Sequence, residues 1–198
     1  MQTLLEQDKI RAIGVSNFST GQIERFRRVA KLHVVQPPYN LFERKIEKEL
    51  LPYCRESGLA SLTYGALCHG SLSGKLQKDA HFEGDDLRLT DPKFQPPRYA
   101  QYLAAVRRLD QFARQRYGRR VIHLAVRWLL DQGATVALWG ARHPGQLQPI
   151  DEVFGWSLDA AAKSEIDRIL RESITDPVGP EFMSPPPRSK PAVLEAAQ

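Results

Sequence analysis

Short apolar segments alternate with amphipathic segments along the chain, and this alternation is typical of a parallel sheet covered by helices. Four segments have the length and composition of buried strands, and they cover residues 11–15, 34–36, 59–64 and 135–139. Between them, apolar residues recur every three to four positions, as they do along one face of a helix. The pattern therefore predicts an α/β fold of four βα units, in a single domain that spans residues 1–198.

The first predicted helix begins after the strand at residues 11–15 and runs to about residue 31. Ser19 and Gln22 have the spacing of a capping box, in which each side chain binds the backbone N–H of the other residue. The residues expected on the buried face of this helix are Ile23, Phe26, Val29 and Ala30.

Glycine marks the expected ends of three later helices, at Gly58, Gly118 and Gly133, because glycine readily adopts the left-handed conformation that follows a helix. The segment after the fourth strand is predicted to turn into a helix, and Ser157 is expected to cap the last helix. The apolar positions of the helix after the fourth strand are Leu147, Ile150 and Val153.

Two segments lack any such periodicity. Residues 79–97 are polar and contain proline, which predicts a long surface loop of the kind that often lies over a site. Residues 176–198 are rich in proline, which lacks the N–H that a helix requires, so an extended tail is expected there.

Composition and charge narrow the class of protein. With 198 residues, 42% of them hydrophobic and 26% charged, the chain is long enough for one globular core. The net charge of +5 is carried mainly by arginine and lysine on predicted helices, and such runs are usually solvated faces. No nucleic-acid partner is expected, because no recognition module accompanies these charges.

Targeting and redox signals are also weak. No stretch approaches the roughly 20 apolar residues of a membrane span, and residues 1–7 lack the charged and apolar regions of a signal peptide. No membrane partner is therefore expected, and a cytoplasmic location is predicted. The two cysteines, Cys54 and Cys68, are too few for a disulfide framework or a metal site and are expected to be buried thiols.

The carboxyl ends of the predicted strands are small and polar, and ligands bind at these ends in parallel α/β folds. Asn17 and Gln36 end the first two strands, and their amides could bind a carboxamide through paired hydrogen bonds. Tyr64 ends the third strand and could stack on a flat heterocycle. The glycine-rich residues 65–75 could bring backbone N–H groups to a pyrophosphate, and Arg142 could bind a phosphate at the start of a helix.

Each of these residues also has an ordinary structural explanation. Asn17 is a common turn residue, and Gln36 could bind the backbone before the two prolines that follow it. Tyr64 could be a core residue, and Arg142 a surface charge in a turn. Taken singly, none of the four decides between a structural and a binding role.

Taken together, five segments resemble the aldo-keto reductase family. They are residues 9–19 (KIRAIGVSNFS), 36–43 (QPPYNLFE), 51–56 (LPYCRE), 64–67 (YGAL) and 139–142 (WGAR). Residues 176–188 (DPVGPEFMSPPPR) resemble the bacterial general-stress branch of that family. The resemblance extends from about residue 5 to residue 189.

The resemblance implies a fold, a cofactor and a reaction. Family members form a (β/α)8 barrel of the TIM type, bind NADP(H), and reduce aldehydes and ketones without a metal. The four strands of this chain would correspond to strands 5 to 8, which make a half barrel. By the same resemblance, Ser16, Asn17 and Gln36 would hold the nicotinamide carboxamide, and Tyr64 would stack on the nicotinamide ring.

The resemblance also assigns the rest of the cofactor site and favours NADP over NAD. Backbone groups along the pyrophosphate would come from Gly65, Leu67, Gly74 and Lys75. The residues that would take the adenosine 2′-phosphate end are Gly140, Ala141, Arg142 and Gln146.

Two positions depart from the family pattern. Ile150 stands where family members often have an asparagine that contacts adenine. Residues 69–71 (HGS) stand where arginine and leucine are common near the pyrophosphate. We expect these changes to affect cofactor affinity more than the mode of binding.

Family catalysis depends on an Asp, Tyr, Lys and His tetrad on the first four strands of the barrel, and no residue of this chain is assigned to it. No tyrosine lies five residues after an aspartate, and no histidine ends a predicted strand. We therefore expect the C-terminal half of a reductase, from a truncated, split or mis-started gene. Little turnover of a carbonyl substrate is expected unless an N-terminal half completes the barrel.

Two further functions remain open at this stage. One is a non-catalytic NADP-binding or regulatory remnant, which would bind NADPH without turnover. The other is a structural half barrel that self-associates through its exposed sheet edges. Residues 79–97 and 177–188 are the expected contributors to a substrate pocket.

Overall fold

Four parallel strands form one sheet in the computed structural model, which describes residues 1–180 apart from the side chains of residues 148 and 149. The strands are β1 (Gly14–Ser16), β2 (Val34–Gln36), β3 (Ala60–Thr63) and β4 (Val136–Ala137), and they lie in the order β1-β2-β3-β4. Their order and parallel direction, with helices between them, are the architecture of part of a (β/α) barrel. The predicted fold class is confirmed.

The strand bounds follow the hydrogen-bond ladder more closely than the apolar pattern. β2 has the predicted bounds, but the other three strands are shorter than predicted. Residues 11–13 precede the ladder, although the backbone of Ile13 is still held by His33: its N–H donates to Nδ1 at 3.1 Å and its carbonyl accepts from the backbone N–H at 2.9 Å. Thr135 also precedes its strand, because its N–H donates to the hydroxyl of Ser61.

Six α-helices accompany the sheet in the described part of the chain. They are α1 (Gln2–Glu6), α2 (Thr20–Arg27), α3 (Leu50–Glu56), α4 (Arg98–Tyr117), α5 (Val121–Asp131) and α6 (Ala160–Ser173). α1 has no counterpart in the sequence prediction. Gly58, Gly118 and Gly133 follow α3, α4 and α5 with φ angles of 65°, 63° and 98°, as predicted for residues that end helices.

The start of α2 is confirmed, but its end is not. The hydroxyl of Ser19 accepts from the N–H of Gln22 at 3.3 Å, and the Gln22 side chain accepts from the N–H of Ser19 at 2.8 Å, which completes the capping box. The helix ends at Arg27, four residues early. Val29 therefore leaves the buried face and is 76% exposed.

Two predictions in the last third of the chain are wrong. The segment after β4 forms 3-10 turns over Pro144–Gln146 and Gln148–Val153 in place of a helix, and Leu147 and Ile150 are exposed. Pro149 lacks the N–H that a continuous helix through this segment would use. α6 is capped by Asp159, whose carboxylate accepts from the N–H of Ala162 at 2.7 Å, and not by Ser157.

The main core lies among the long helices α4, α5 and α6 and the loop segments packed against them. Its most buried side chains, all fully inaccessible to solvent, include Leu109 of α4, Trp128 of α5 and Ile166 of α6. A smaller cluster joins Val35 of β2 to Ile23 of α2, on the outer face of the sheet. Both cysteines are buried and unpaired, as expected.

Residues 79–97 only partly match the predicted surface loop. They contain short turns over Leu87–Leu89 and Pro92–Phe94, and Asp91, Lys93 and Phe94 are buried. The prediction was wrong for residues 91–94, because the charge of Lys93 is neutralised by Asp91 and by Glu43, and the sequence does not indicate that Glu43 lies nearby. Most of the proline-rich tail, residues 181–198, lies outside the described residues.

Candidate functional site

The carboxyl ends of β1 and β2 meet at one backbone carbonyl. The hydroxyl of Ser16 donates to the carbonyl of Gln36 at 3.0 Å, and the N–H of Asn17 donates to the same oxygen at 3.2 Å. Asn17 adopts the left-handed conformation, with φ of 59°, which turns the chain directly after the strand. Asparagine tolerates this conformation better than most residues do. The structure thus brings together the three residues predicted to bind a carboxamide.

Tyr64 extends this group across the end of the neighbouring strand. Its hydroxyl donates to the side-chain oxygen of Asn17 at 3.0 Å, and its backbone is fixed by bonds to Pro37 and Tyr39. The ring is half-buried, so part of it remains accessible to a ligand. A continuous polar group at the carboxyl ends of the strands therefore comprises Ser16, Asn17, Gln36 and Tyr64. We call it the strand-end group.

A large cleft begins directly after Tyr64. It has a volume of about 1270 Å³, above the roughly 300–1000 Å³ of typical small-molecule sites. Three segments supply most of its lining, within residues 65–76, 83–88 and 138–146. Residues 83–88 belong to the loop that the sequence predicted to lie over a site.

Most of the residues predicted for the phosphate end of the site line this cleft. They are Gly65, Leu67, Lys75, Gly140, Ala141, Arg142 and Gln146. Gly74 does not line it, although both of its chain neighbours do. The sequence did not indicate Arg120, Ile122 and Glu152, which also line the cleft, because they come from distant helix and turn segments without a site motif.

Residues 65–75 form a tight loop of mixed handedness. Gly65, Gly70 and Gly74 have φ angles of 72°, 88° and 73°. Gly74 is confined to glycine because an added Cβ would lie 2.8 Å from the Val121 side chain. Loops that alternate in handedness turn successive N–H groups toward one point and can bind anions.

Some N–H groups of this loop already have partners. Gly74 donates to the carbonyl of Ser71 at 3.3 Å, and Lys75 donates to the hydroxyl of Ser73 at 3.2 Å. A ligand that binds these two N–H groups must replace those bonds. Within residues 1–180, no hydrogen bond is seen from the N–H groups of Gly65 and Leu67, so these two groups are the better placed for a phosphate.

Gln146 closes the turn that carries Arg142. Its side-chain oxygen accepts from the N–H of Arg142 at 2.6 Å and from the N–H of His143 at 3.1 Å. These bonds fix the backbone of the turn and leave the Arg142 side chain exposed at the cleft. In this structure Gln146 thus shapes the turn.

Charges of both signs line the cleft. The basic side chains are Lys75, Arg88, Arg120 and Arg142, and the acidic ones are Glu83, Asp85, Asp86 and Glu152. The paired guanidinium of Arg88, and to a smaller extent that of Arg142, hold the pKa of Asp86 well below its ordinary value. Glu152 is paired with Arg119 at 3.0 Å. Two of the four carboxylates, Asp86 and Glu152, are thus paired with arginine, and the exposed Arg142 side chain presents its positive charge to a phosphate in the cleft.

Other kinds of site find less support. Across residues 1–180, no cluster of three or more His, Cys, Asp and Glu side chains is arranged to hold a metal ion. In the same part of the chain, the helices are too short or too polar to span a bilayer.

Comparison with known proteins points to one family. The model of the aldo/keto reductase family matches residues 1–171. Aldo-keto reductase YhdN from Bacillus subtilis is 56% identical over 191 residues, which are 96% of this chain and 58% of that protein.

Solved structures agree with that match. Glycerol dehydrogenase AKR11B4 from Gluconobacter oxydans superposes with a TM-score of 0.84 at 51% identity, covering 92% of this chain and 56% of that one. An aldo/keto reductase from Klebsiella pneumoniae in complex with NADP and acetate superposes with a TM-score of 0.62 at 23% identity, covering 96% and 54%. At that identity the second likeness shows the fold alone. The chain spans between 54% and 58% of the length of these three relatives.

Proposed function

Starting from the premise that this chain belongs to the aldo/keto reductase family of oxidoreductases, we propose that it binds NADP(H) across the strand-end group and the adjoining cleft. The observation that carries the proposal is the placement of Ser16, Asn17, Gln36 and Tyr64 together, directly beside a cleft that reaches Arg142. A nicotinamide dinucleotide is a long molecule with a flat amide-bearing ring at one end and phosphates beyond it. This order matches the protein, where the amide-bearing strand-end group is followed by a cleft that reaches the positive charge of Arg142.

The strand-end group would hold the nicotinamide. Ser16, Asn17 and Gln36 offer hydroxyl and amide groups for its carboxamide, which both donates and accepts hydrogen bonds. Tyr64, fixed by its bond to Asn17, would stack on the ring and fix which face is presented to a substrate. Positioning of this kind is a large part of what an enzyme contributes to a cofactor reaction.

The cleft would hold the phosphates. The backbone of Gly65, Leu67, Gly74 and Lys75 would lie along the pyrophosphate, and residues 140–142 with Gln146 would surround the adenosine 2′-phosphate. Arg142 is the group that distinguishes NADP from NAD, because a guanidinium binds a phosphate through strong charge-assisted hydrogen bonds.

The proposed reaction is the reduction of aldehydes and ketones in the cytoplasm, where the bound cofactor supplies a hydride to the carbonyl carbon. The residues of this chain orient the cofactor, but none is assigned as the proton donor. We expect that group to come from strands that pair with the edges of this sheet. In that case, the chain by itself binds NADPH without appreciable turnover.

A second candidate is self-association of the sheet. Within residues 1–180, β1 and β4 each have a strand partner on one side only, and Val136 of β4 is 41% exposed. Open edges of this kind favour pairing with another chain. Sedimentation of the chain would show a dimer whose stability does not depend on NADPH if this were its main role.

Titration of the full chain with NADPH, followed by the fluorescence of the reduced nicotinamide, tests the proposal. We expect saturable binding that is at least about tenfold tighter than binding of NADH, since one charge-assisted hydrogen bond contributes about 1.5–3 kcal/mol. Absorbance at the nicotinamide band, recorded with a simple aldehyde present, should show little oxidation of NADPH. No binding, or equal affinity for the two cofactors, would contradict the proposed site.

A further inference from the structure

Three charged side chains form an ion cluster beneath the cleft, and none of them is more than 1% exposed. The ammonium of Lys93 lies 2.7 Å from a carboxylate oxygen of Glu43 and 3.0 Å from one of Asp91. Charged residues are almost never buried to this extent unless they are paired. Although burial acts to lower the pKa of Lys93, the charges of its neighbours raise it above its ordinary value, so the side chain is an ammonium at neutral pH.

Asn40 connects this cluster to Gly65, the first residue of the loop at residues 65–75. Its side-chain nitrogen donates to Glu43 at 2.6 Å and to the carbonyl of Gly65 at 3.0 Å. Its side-chain oxygen accepts from the N–H groups of Phe42 and Glu43. Every polar atom of this amide is therefore used to fix the position of the Gly65 carbonyl relative to Glu43.

The other end of the cluster belongs to the loop that lines the cleft through residues 83–88. Asp91 accepts from the N–H of Lys93 at 3.0 Å and thereby caps the turn that follows. Phe94 then packs edge to face on Phe82, with ring centroids 5.7 Å apart, and the Arg88 guanidinium lies over the Phe82 ring. The ion cluster thus joins two lining segments of the cleft, residues 65–76 and 83–88.

Stability alone does not explain a cluster of this composition. The cost of removing three charges from water is comparable with the attraction among them, and well-packed apolar residues often stabilise a core equally well. The Asn40 amide, whose nitrogen and oxygen are both hydrogen-bonded, does fix geometry, because each donor and acceptor has a favourable direction. The residue that this amide fixes is Gly65, the first residue of the loop at residues 65–75, which is proposed to bind the pyrophosphate.

We propose that the Lys93–Glu43–Asn40 network is a positioning device for the cofactor, which holds the Gly65 end of the loop in the conformation that receives the pyrophosphate. Lys93 and Asn40 are positioning residues and have no contact with the ligand. The inference rests on the proposed function, because it presumes that a pyrophosphate binds at this loop. It predicts that disturbing the network weakens the pyrophosphate contact and spares the 2′-phosphate contact at Arg142.

Two probes in the full chain separate these contacts: NADPH, which spans the whole site, and adenosine 2′-phosphate, which reaches only the Arg142 end. In Lys93→Met, we expect NADPH affinity to fall about tenfold or more, since about 1.4 kcal/mol corresponds to a factor of ten. Affinity for adenosine 2′-phosphate, measured like that for NADPH by isothermal titration calorimetry, should stay within about twofold. Asn40→Ala, which leaves the ion pairs in place, should show the same selective loss, and it provides the test if Lys93→Met fails to fold.

The control is Arg127→Met, which removes a half-buried ion pair with Asp131 in α5, and neither residue lines the cleft. It should lower the melting temperature and leave the affinities for both probes unchanged. Unchanged NADPH affinity in a folded Asn40→Ala variant, or equal losses for both probes, would overturn the positioning role alone. Failure of the unaltered chain to bind NADPH would overturn the proposed function and this inference with it.

Discussion

Replacing Arg142 with alanine is expected to weaken NADPH binding by about 10- to 100-fold and to leave NADH binding nearly unchanged, because a hydrogen bond to a charged group contributes about 1.5–3 kcal/mol. The substitution removes an exposed guanidinium at the cleft and preserves the backbone N–H that Gln146 binds. The turn should therefore keep its shape. Fluorescence titration of both cofactors against both proteins measures the effect.

Arg168→Ala is the matched control for this variant. Arg168 lies on α6 and pairs with Glu165 and Glu172, so its loss changes the net charge by the same amount away from the cleft. We expect it to leave the NADPH affinity unchanged. Equal weakening of NADPH and NADH by Arg142→Ala would show that the residue acts through the turn rather than through the 2′-phosphate.

Replacing Trp128 with alanine is expected to lower the free energy of unfolding by about 3–5 kcal/mol, the range for large aromatic residues removed from a core. Trp128 is fully buried, packs against Tyr39 at a centroid distance of 5.3 Å, and lies under the Arg44 guanidinium. A loss of this size is a large fraction of the stability of an ordinary domain. Urea unfolding followed by circular dichroism measures it.

Trp156 provides a comparison within the same chain. Its ring is only half-buried, although the ring centroid lies 4.8 Å from that of Tyr117 and the indole N–H donates to the carbonyl of Glu152. We expect Trp156→Ala to cost less than half as much as Trp128→Ala. Similar losses for the two variants would mean that α5 is not the centre of the core.

The parallel sheet and the residues at its carboxyl end could be predicted from the sequence, because both depend on local patterns. β2 is bounded by proline at its end, so its apolar run could be no longer than the strand itself. Asn17, Gln36 and Tyr64 each end an apolar run, and parallel strands place such positions side by side. That these three residues lie close together at the carboxyl ends of the strands then follows from the topology, without knowledge of any side-chain contact.

The parts that could not be predicted depend on contacts between distant segments. Lys93 lies in a polar, proline-bearing stretch. Nothing local indicates that it forms an ion pair with Glu43, fifty residues earlier. The cap of α6 is Asp159, two residues after the predicted Ser157. Serine and aspartate are both good capping residues, so spacing alone cannot decide between them. In both cases the tertiary environment decided between locally acceptable alternatives.

A crystal structure of the chain with NADP⁺ would show directly where the cofactor binds. We expect the nicotinamide carboxamide against Ser16, Asn17 and Gln36, the ring on Tyr64, and the 2′-phosphate within hydrogen-bond distance of Arg142. Electron density for NADP⁺ elsewhere on the chain, or with its adenosine end at the strand-end group, would contradict the proposed site.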